Sequence, residues 1–181
     1  MLKVYGVRTS HAMGHKAAYA LLEHAFQSLY ARPMPPVART ERGKPYFLHG
    51  GVEFSLSHTK TMAFCALSDH AVGIDAETIR PIRHGVPART LNKLELSWME
   101  RQPDLDRAFL RLWTMKEAWV KCTGHGLNGQ PKNIVLENLE DIPSVAGQQA
   151  YFQTRELENV LVMVCSQQRF AAEWVLWEKL L

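Results

Sequence analysis

A mixed α+β fold is predicted for this chain by three features of its sequence. Stretches whose apolar residues alternate every second position read as strands, and stretches with apolar residues every three to four positions read as helices. Two such strand–helix regions follow one another, meeting at a turn over Ser68, Asp69 and His70. At 181 residues, 46% hydrophobic and 22% charged, the chain has ordinary globular composition and can bury a core without staples. One unit over residues 1–181 is expected, with lobes of about 1–70 and 71–181.

The elements follow in order. The opening LKVYGV is a short strand. HKAAYALLEHAFQSLY is a helix, with Ala18, Leu21, Leu22, Ala25 and Leu29 on one side. ARPMPPVARTERGKP, with four prolines and a glycine, is a connecting loop. VEFSLSH is extended, Val52, Phe54 and Leu56 alternating with Glu53, Ser55 and Ser57. TMAFCALSD and AVGIDAE are two further strands joined by the turn. TIRPIRHGVPART is a basic loop, and Asn92 to Glu100 suits a helix that Pro103 interrupts. A strong helix runs from about Asp106 to Cys122, with Gly124 and Gly126 as its C-terminal cap. The tail suits strands at Asn133–Leu136, Ala150–Gln153, Val160–Ser166 and Glu173–Trp177.

Composition removes several functions. Lys and Arg number 21 against 18 Asp and Glu, a net charge of +3. That surplus lacks the dense basic stripe of a nucleic-acid binder, but is compatible with an anionic small molecule or an acidic protein partner. No apolar run approaches the roughly 18 residues of a membrane helix. MLKVYGVRTSHAMGHK has no uninterrupted apolar core after its first lysine, which speaks against a secretory leader. Cys65, Cys122 and Cys165 form no CxxC or Cys/His spacing, so neither a disulfide framework nor a zinc site is expected. Cys65 and Cys165 stand in apolar runs, as buried thiols do. A reducing cytoplasm is the expected compartment.

Three groups of residues carry chemistry. In AVGIDAE, Asp75 and Glu77 are two residues apart, so on a strand both carboxylates point to one face. Adjacent carboxylates repel unless a cation lies between them. Mg²⁺ takes one or two protein carboxylates and completes its shell with waters and substrate phosphates. A strand end entering solvent with two hydrated acids accounts for the same pattern. In FLRLWTMKEAWVKCTGHGL, Leu110, Trp113, Glu117 and Lys121 fall along one side of a helix. Glu117 there is either half of an ion pair with Lys121 or a metal ligand or general base, with Lys121 one turn on reaching a phosphate. The third group is Gly43, Lys44 and Pro45 followed by Ser57 and His58 at the end of FSLSH. A glycine, a cation and two donors make a plausible anion-binding rim. A turn lysine and a strand-end Ser/His pair explain them equally.

GKP, FSLSHT, VGIDAE and LWTMKEAWVKCTGHGL, in this order between Gly43 and Leu127, resemble the 4′-phosphopantetheinyl transferase superfamily, in its surfactin-synthetase-activating type. The resemblance implies a pseudo-dimer of two similar α/β lobes with coenzyme A in the cleft between them. It implies Mg²⁺ on Asp75, Glu77 and Glu117, and Glu117 as base toward a carrier-protein serine. Lys121 would bind a phosphate, and Lys44, Ser57 and His58 would line the nucleotide site. The implied reaction moves phosphopantetheine from coenzyme A to a serine of an acyl or peptidyl carrier protein, releasing 3′,5′-ADP. The implied state is a monomer. Carrier proteins are generally acidic, and Arg80, Arg83, Arg89 and Lys93 could steer one; a solvated basic loop is the alternative.

One part of the pattern departs. Only MGHKAAYALLE can be laid on the family's HxxDxxRxLLG helix; Met13 then falls at the histidine, Lys16 at the aspartate, Tyr19 at the arginine and Glu23 at the glycine. A shortened first lobe is expected, with Lys16 as the cation left near the 3′-phosphate. Two classes of function follow: an active transferase, favoured by the complete Asp75, Glu77, Glu117 and Lys121 set, or a non-catalytic module that binds a carrier protein or coenzyme A. An enzyme with relaxed choice of donor is a third reading.

Overall fold

The computed structural model describes residues 1–10, 13–49, 51–126 and 130–178. Leu127, where the motif-bearing segment ends, lies outside them. The first half runs β1 (Leu2–Arg8), α1 (Gly14–Tyr30), β2 (Val37–Arg39), β3 (Pro45–Phe47), β4 (Glu53–His58) and β5 (Met62–Ser68). Next come β6 (Val72–Thr78), α2 (Val86–Thr90), α3 (Lys93–Glu100) and α4 (Leu105–Thr123). A 3₁₀ turn at Pro131–Asn133 precedes β7 (Leu136–Glu137), β8 (Ser144–Val145), β9 (Tyr151–Leu157), β10 (Val160–Ser166) and β11 (Glu173–Trp177).

The chain takes one path twice. A first strand (β1 or β6) leads to a long helix (α1 or α4), a small hairpin (β2–β3 or β7–β8) and a larger hairpin (β4–β5 or β9–β10). The last strand of that hairpin inserts beside the first, giving sheet orders β1-β5-β4 and β6-β10-β9. This repeated connectivity is the pseudo-dimer that the resemblance implied. The α2 and α3 helices are inserted in the second half only.

The expected lobe boundary needs one amendment. β11 pairs parallel to β1, Lys3 opposite Glu173 and Val7 opposite Trp177, so the end of 71–181 belongs to the first sheet. Its Val175 and Trp177 pack onto the first sheet's helix-side core.

Alternation within each strand divides the interior into three layers. Tyr5, Val7, Ala63, Cys65 and Leu67 face α1, whose Ala18, Leu21, Leu22 and Phe26 cover them. The alternate residues, Val4, Phe64 and Ala66, meet Val72, Ile74, Val162 and Val164 of the second sheet. The far face of that sheet, with Met163 and Cys165, packs under α4. Full burial of a large apolar side chain such as Phe26 or Phe64 contributes about 1.5–3 kcal/mol.

Several sequence expectations change. Residues 31–45 are not simply loop: Val37–Arg39 pairs with Pro45–Phe47. Each strand is too short for alternation to register, and the prolines at the flanks mask it. Val86–Thr90 is a helical turn with Pro87 in its first turn. Pro131–Asn133 is a 3₁₀ turn, which confines the expected strand at Asn133–Leu136 to Leu136–Glu137. The helix from Asn92 holds, with Asn92 accepting from the Glu95 amide and Glu95 accepting from the Asn92 amide. Gly124, at φ 72°, ends α4 in the left-handed conformation.

Candidate active site

β6 has both faces covered, and its odd-numbered residues look at α4. Gly73 makes that contact possible: a Cβ there would lie 1.9 Å from the Ala118 carbonyl oxygen and 2.5 Å from the Cys122 amide nitrogen. With the helix seated this closely, Asp75 and Glu77, one and two steps along the same face, meet Glu117 and Lys121 on α4. The Lys121 ammonium donates to Asp75 Oδ1 at 2.7 Å.

The other edge of β6 lies along β4. The Ser55 hydroxyl accepts from the Ile74 amide at 3.0 Å, and the Ser57 hydroxyl from the Ala76 amide at 3.1 Å. Two serines thus replace a backbone ladder at the seam between the sheets, occupying amides that would otherwise be buried without partners. Ser57 also donates to Asp75 Oδ1 at 3.2 Å and accepts from Lys121 Nζ at 3.2 Å. Its hydroxyl is saturated, and it ties the seam to the carboxylate.

Charge at this junction is unevenly balanced. Asp75 is 6% exposed; its Oδ1 has two donors, while its buried Oδ2 has no hydrogen-bond partner. Burial, then the Asp75 charge, pushes Glu77 above its ordinary value, and Arg80 partly opposes this. Burial and then Asp75 push Glu117 up to about 6, against the pull of Lys121. The three carboxylates therefore feel one another. Among the described residues, however, no three acidic, histidine or cysteine side chains converge into a metal-holding group. The Lys121 ammonium supplies positive charge beside Asp75.

The junction opens into a cleft of about 930 Å³ between the two halves. Asp75, Glu77 and Lys121 line one end; Lys44, Ser57 and His58 also line it. Glu117 is half-buried and outside the lining, and Lys16 is exposed and outside it. On α1 it is His15 and Tyr19, rather than Lys16, that line the cleft. Lys44 is less available than its sequence suggests. Its ammonium donates to the Cys122 carbonyl at 2.7 Å and lies 3.7 Å from the Glu53 carboxylate, capping the end of α4. His58 sits against Gly14, where a Cβ would come within 2.7 Å of its Nδ1.

His15, Arg39, Arg42 and Lys60 line the cleft and escape the sequence reading, as does the cleft-facing position of Tyr19. His15 and Tyr19 recur at helical spacing beside the buried face of α1, a weak signal. Arg39 and Arg42 stand in the stretch taken for loop, and only the β2–β3 pairing aims them at the cleft.

The sequence profile described as the 4′-phosphopantetheinyl transferase superfamily matches residues 71–175. The chain belongs to that superfamily. Among individual relatives, it is 33% identical over 91 residues to the 4′-phosphopantetheinyl transferase gsp of Aneurinibacillus migulanus, covering 49% of this chain and 38% of the relative. To the 4′-phosphopantetheinyl transferase psf-1 of Bacillus pumilus it is 35% identical over 113 residues, covering 60% of this chain and 48% of the relative. The match spans about half or less of these curated relatives. The crystal structure of Thermotoga maritima holo-[acyl-carrier-protein] synthase superposes with a TM-score of 0.46 at 18% identity, over 52% of this chain and 61% of that one.

Proposed function

We propose that the chain transfers the 4′-phosphopantetheine arm of coenzyme A to a serine of an apo acyl or peptidyl carrier protein, releasing 3′,5′-ADP. The observation that carries this reading is the Lys121–Asp75 contact, with Glu77, in the lining of a cleft otherwise rich in cations, together with the electrostatic coupling of Glu117, outside that lining, to Asp75. Membership of the superfamily supports it.

Mg²⁺ fits the site. The donors are carboxylate oxygens alone, and Asp75 Oδ2 is buried and unpartnered. Mg²⁺ uses one or two protein carboxylates and leaves its remaining positions to water and phosphate, so the lack of a three-way cluster does not count against it. Asp75 and Glu77 would hold the ion, with Glu117 completing the acidic set. When bound, it neutralises pyrophosphate charge and so lowers the barrier to an oxyanion leaving group.

The protein's own groups supply the rest. The carrier serine hydroxyl attacks the phosphorus that bears the pantetheine arm. Its proton passes to the Glu117 carboxylate, whose raised pKa brings its basicity nearer neutrality. The serine oxygen–phosphorus bond forms as the bond to the bridging oxygen breaks, and that oxygen leaves as the phosphate of 3′,5′-ADP. Lys121, held between Asp75 and Ser57, offsets the charge that develops there. Ser57 fixes the ammonium and the Asp75 carboxylate in one orientation. The exposed Arg80, Arg83, Arg89 and Lys93 suit an acidic carrier surface.

Intact-mass analysis of apo carrier proteins incubated with the protein, coenzyme A and Mg²⁺ tests the reading. One added phosphopantetheinyl group, abolished by EDTA, is expected. Unmodified carriers together with measurable coenzyme A binding would favour a binding module instead.

A further inference from the structure

Lys44 and Lys121 both line the cleft, but they are built in differently. The Lys121 side chain is 31% exposed and that of Lys44 only 16%. Lys121 belongs to the last turn of α4, in the second half. Its ammonium joins Asp75 of that half to Ser57 of the first. The ammonium is therefore only as well placed as the end of α4 is fixed relative to both sheets.

The backbone of Cys122, the next residue, is gripped from two sides. Gly73 of β6 lies against its amide nitrogen, and the Lys44 ammonium takes its carbonyl at 2.7 Å. The Lys44 stem also runs over the helix cap: a Cβ on Gly124 would come within 3.0 Å of Lys44 Cδ. Just beyond, Arg42 donates to the His125 carbonyl at 3.1 Å. Cations at a helix C-terminus meet carbonyls that have no helical partner and the negative end of the dipole. The turn that brings both donors is braced. The Thr40 amide donates to the Lys44 carbonyl at 2.9 Å, and the Lys44 amide to the Thr40 hydroxyl at 3.1 Å. Arg39 donates to the Gly43 carbonyl at 2.9 Å and to the Tyr19 hydroxyl at 3.1 Å, which ties the turn to α1. Glu53, 3.7 Å from the Lys44 ammonium, offsets its charge.

Resting on the function proposed above, we infer that Lys44 is a positioning residue: it clasps the end of α4 from the other half of the fold and so holds Lys121 against Asp75 and Ser57. It acts on the rate of transfer through Lys121, and not as a cation for the donor nucleotide.

Lys44→Met keeps the stem over Gly124 and removes the ammonium, while Lys44→Arg keeps a donor. In transfer to a carrier protein, Lys44→Met should lower kcat about ten- to a hundredfold, the scale of a misplaced reacting group, and leave KM for coenzyme A within about threefold. Lys44→Arg should recover part of kcat. Calorimetric affinity for 3′,5′-ADP should change by less than about threefold in either variant. Amide exchange over residues 119–124, followed by mass spectrometry, should quicken in Lys44→Met while that over 105–113 holds. A loss of 3′,5′-ADP affinity beyond about tenfold would make Lys44 a ligand cation and overturn the inference. Faster exchange with kcat preserved would leave a structural cap alone, and unchanged exchange would leave no clasp; either result overturns it as well. The exchange measurement needs no turnover: carriers left unmodified by the unsubstituted protein, with exchange still quickened in Lys44→Met, would defeat the transferase reading and leave the clasp on the Lys121 turn standing.

Discussion

Asp75 combines burial, a lysine on one oxygen and nothing on the other. Its replacement by Ala should lower transfer at least about a hundredfold, in line with loss of a group that stabilises developing charge. The circular dichroism spectrum should stay unchanged. Near-normal intact-mass yields from that variant at saturating Mg²⁺ would place the chemistry elsewhere. Glu117 gives a prediction with a sign. Its carboxyl is raised from 4.5 to about 6, so between those values the folded chain binds more protons here than the unfolded chain. This group's contribution to stability is therefore fully present below about 4.5 and lost as pH rises through about 6. In metal-free protein, the melting temperature of wild type relative to Glu117→Gln should fall as pH climbs through that window. A flat difference would mean that the carboxyl is not perturbed. The paired spacing of Asp75 and Glu77 was readable because a strand sends i and i+2 to one face. The saturation of Ser57 and the capture of Lys44 were not, because their partners lie 18 and 78 residues away in sequence.

At the level of elements, the approach of α4 to β6 depends on one missing side chain. Gly73→Ala places a methyl group inside the helix backbone. It should destabilise the chain by about 3 kcal/mol or more, since neither strand nor helix can yield cheaply in a packed interior. Denaturant titration measures this, and a loss below about 1 kcal/mol would show that the helix shifts freely. A second anchor holds the same helix two residues before Ala118. Lys116 and Glu95 form a wholly buried ion pair at 2.6 Å. Lys116 also donates to the Thr90 and Pro131 carbonyls, and Glu95 accepts from the Leu136 amide. Glu95→Ala should cost about 3–5 kcal/mol by stranding a buried ammonium, while joint replacement with Lys116→Met should recover part of it. Equal losses in single and double variants would contradict the pairing. Helices were legible from periodicity and caps, and long strands from alternation. The β2–β3 and β7–β8 hairpins were not, because two or three residues carry no period and their pairing is decided by contact with the rest of the fold.

For the molecule as a whole, the proposed function requires two surfaces to work together: a cleft for an anionic donor and an exterior for a carrier protein. The basic side chains Arg89 and Lys93 are exposed around α2 and α3, away from the cleft lining. Reversing both charges (Arg89→Glu with Lys93→Glu) should raise KM for an acidic carrier about tenfold at low salt, leave KM for coenzyme A unchanged, and lose its effect at high ionic strength. An equal rise for both substrates would assign these residues to the donor site or to folding. No helix of the described residues is long and apolar enough to cross a membrane.

The local periods of the chain, its helix caps, its family motifs and the spacing of Asp75, Glu77, Glu117 and Lys121 are properties of neighbouring residues, so residue order alone defines them. The serine seam between β4 and β6, the return of β11 to the first sheet, the withdrawal of Lys44 and the arrival of Arg39 beside Tyr19 depend on which distant segments touch. Those contacts are selected by burial of three apolar layers and by the need to partner every buried polar group, conditions that exist only once the whole chain is packed.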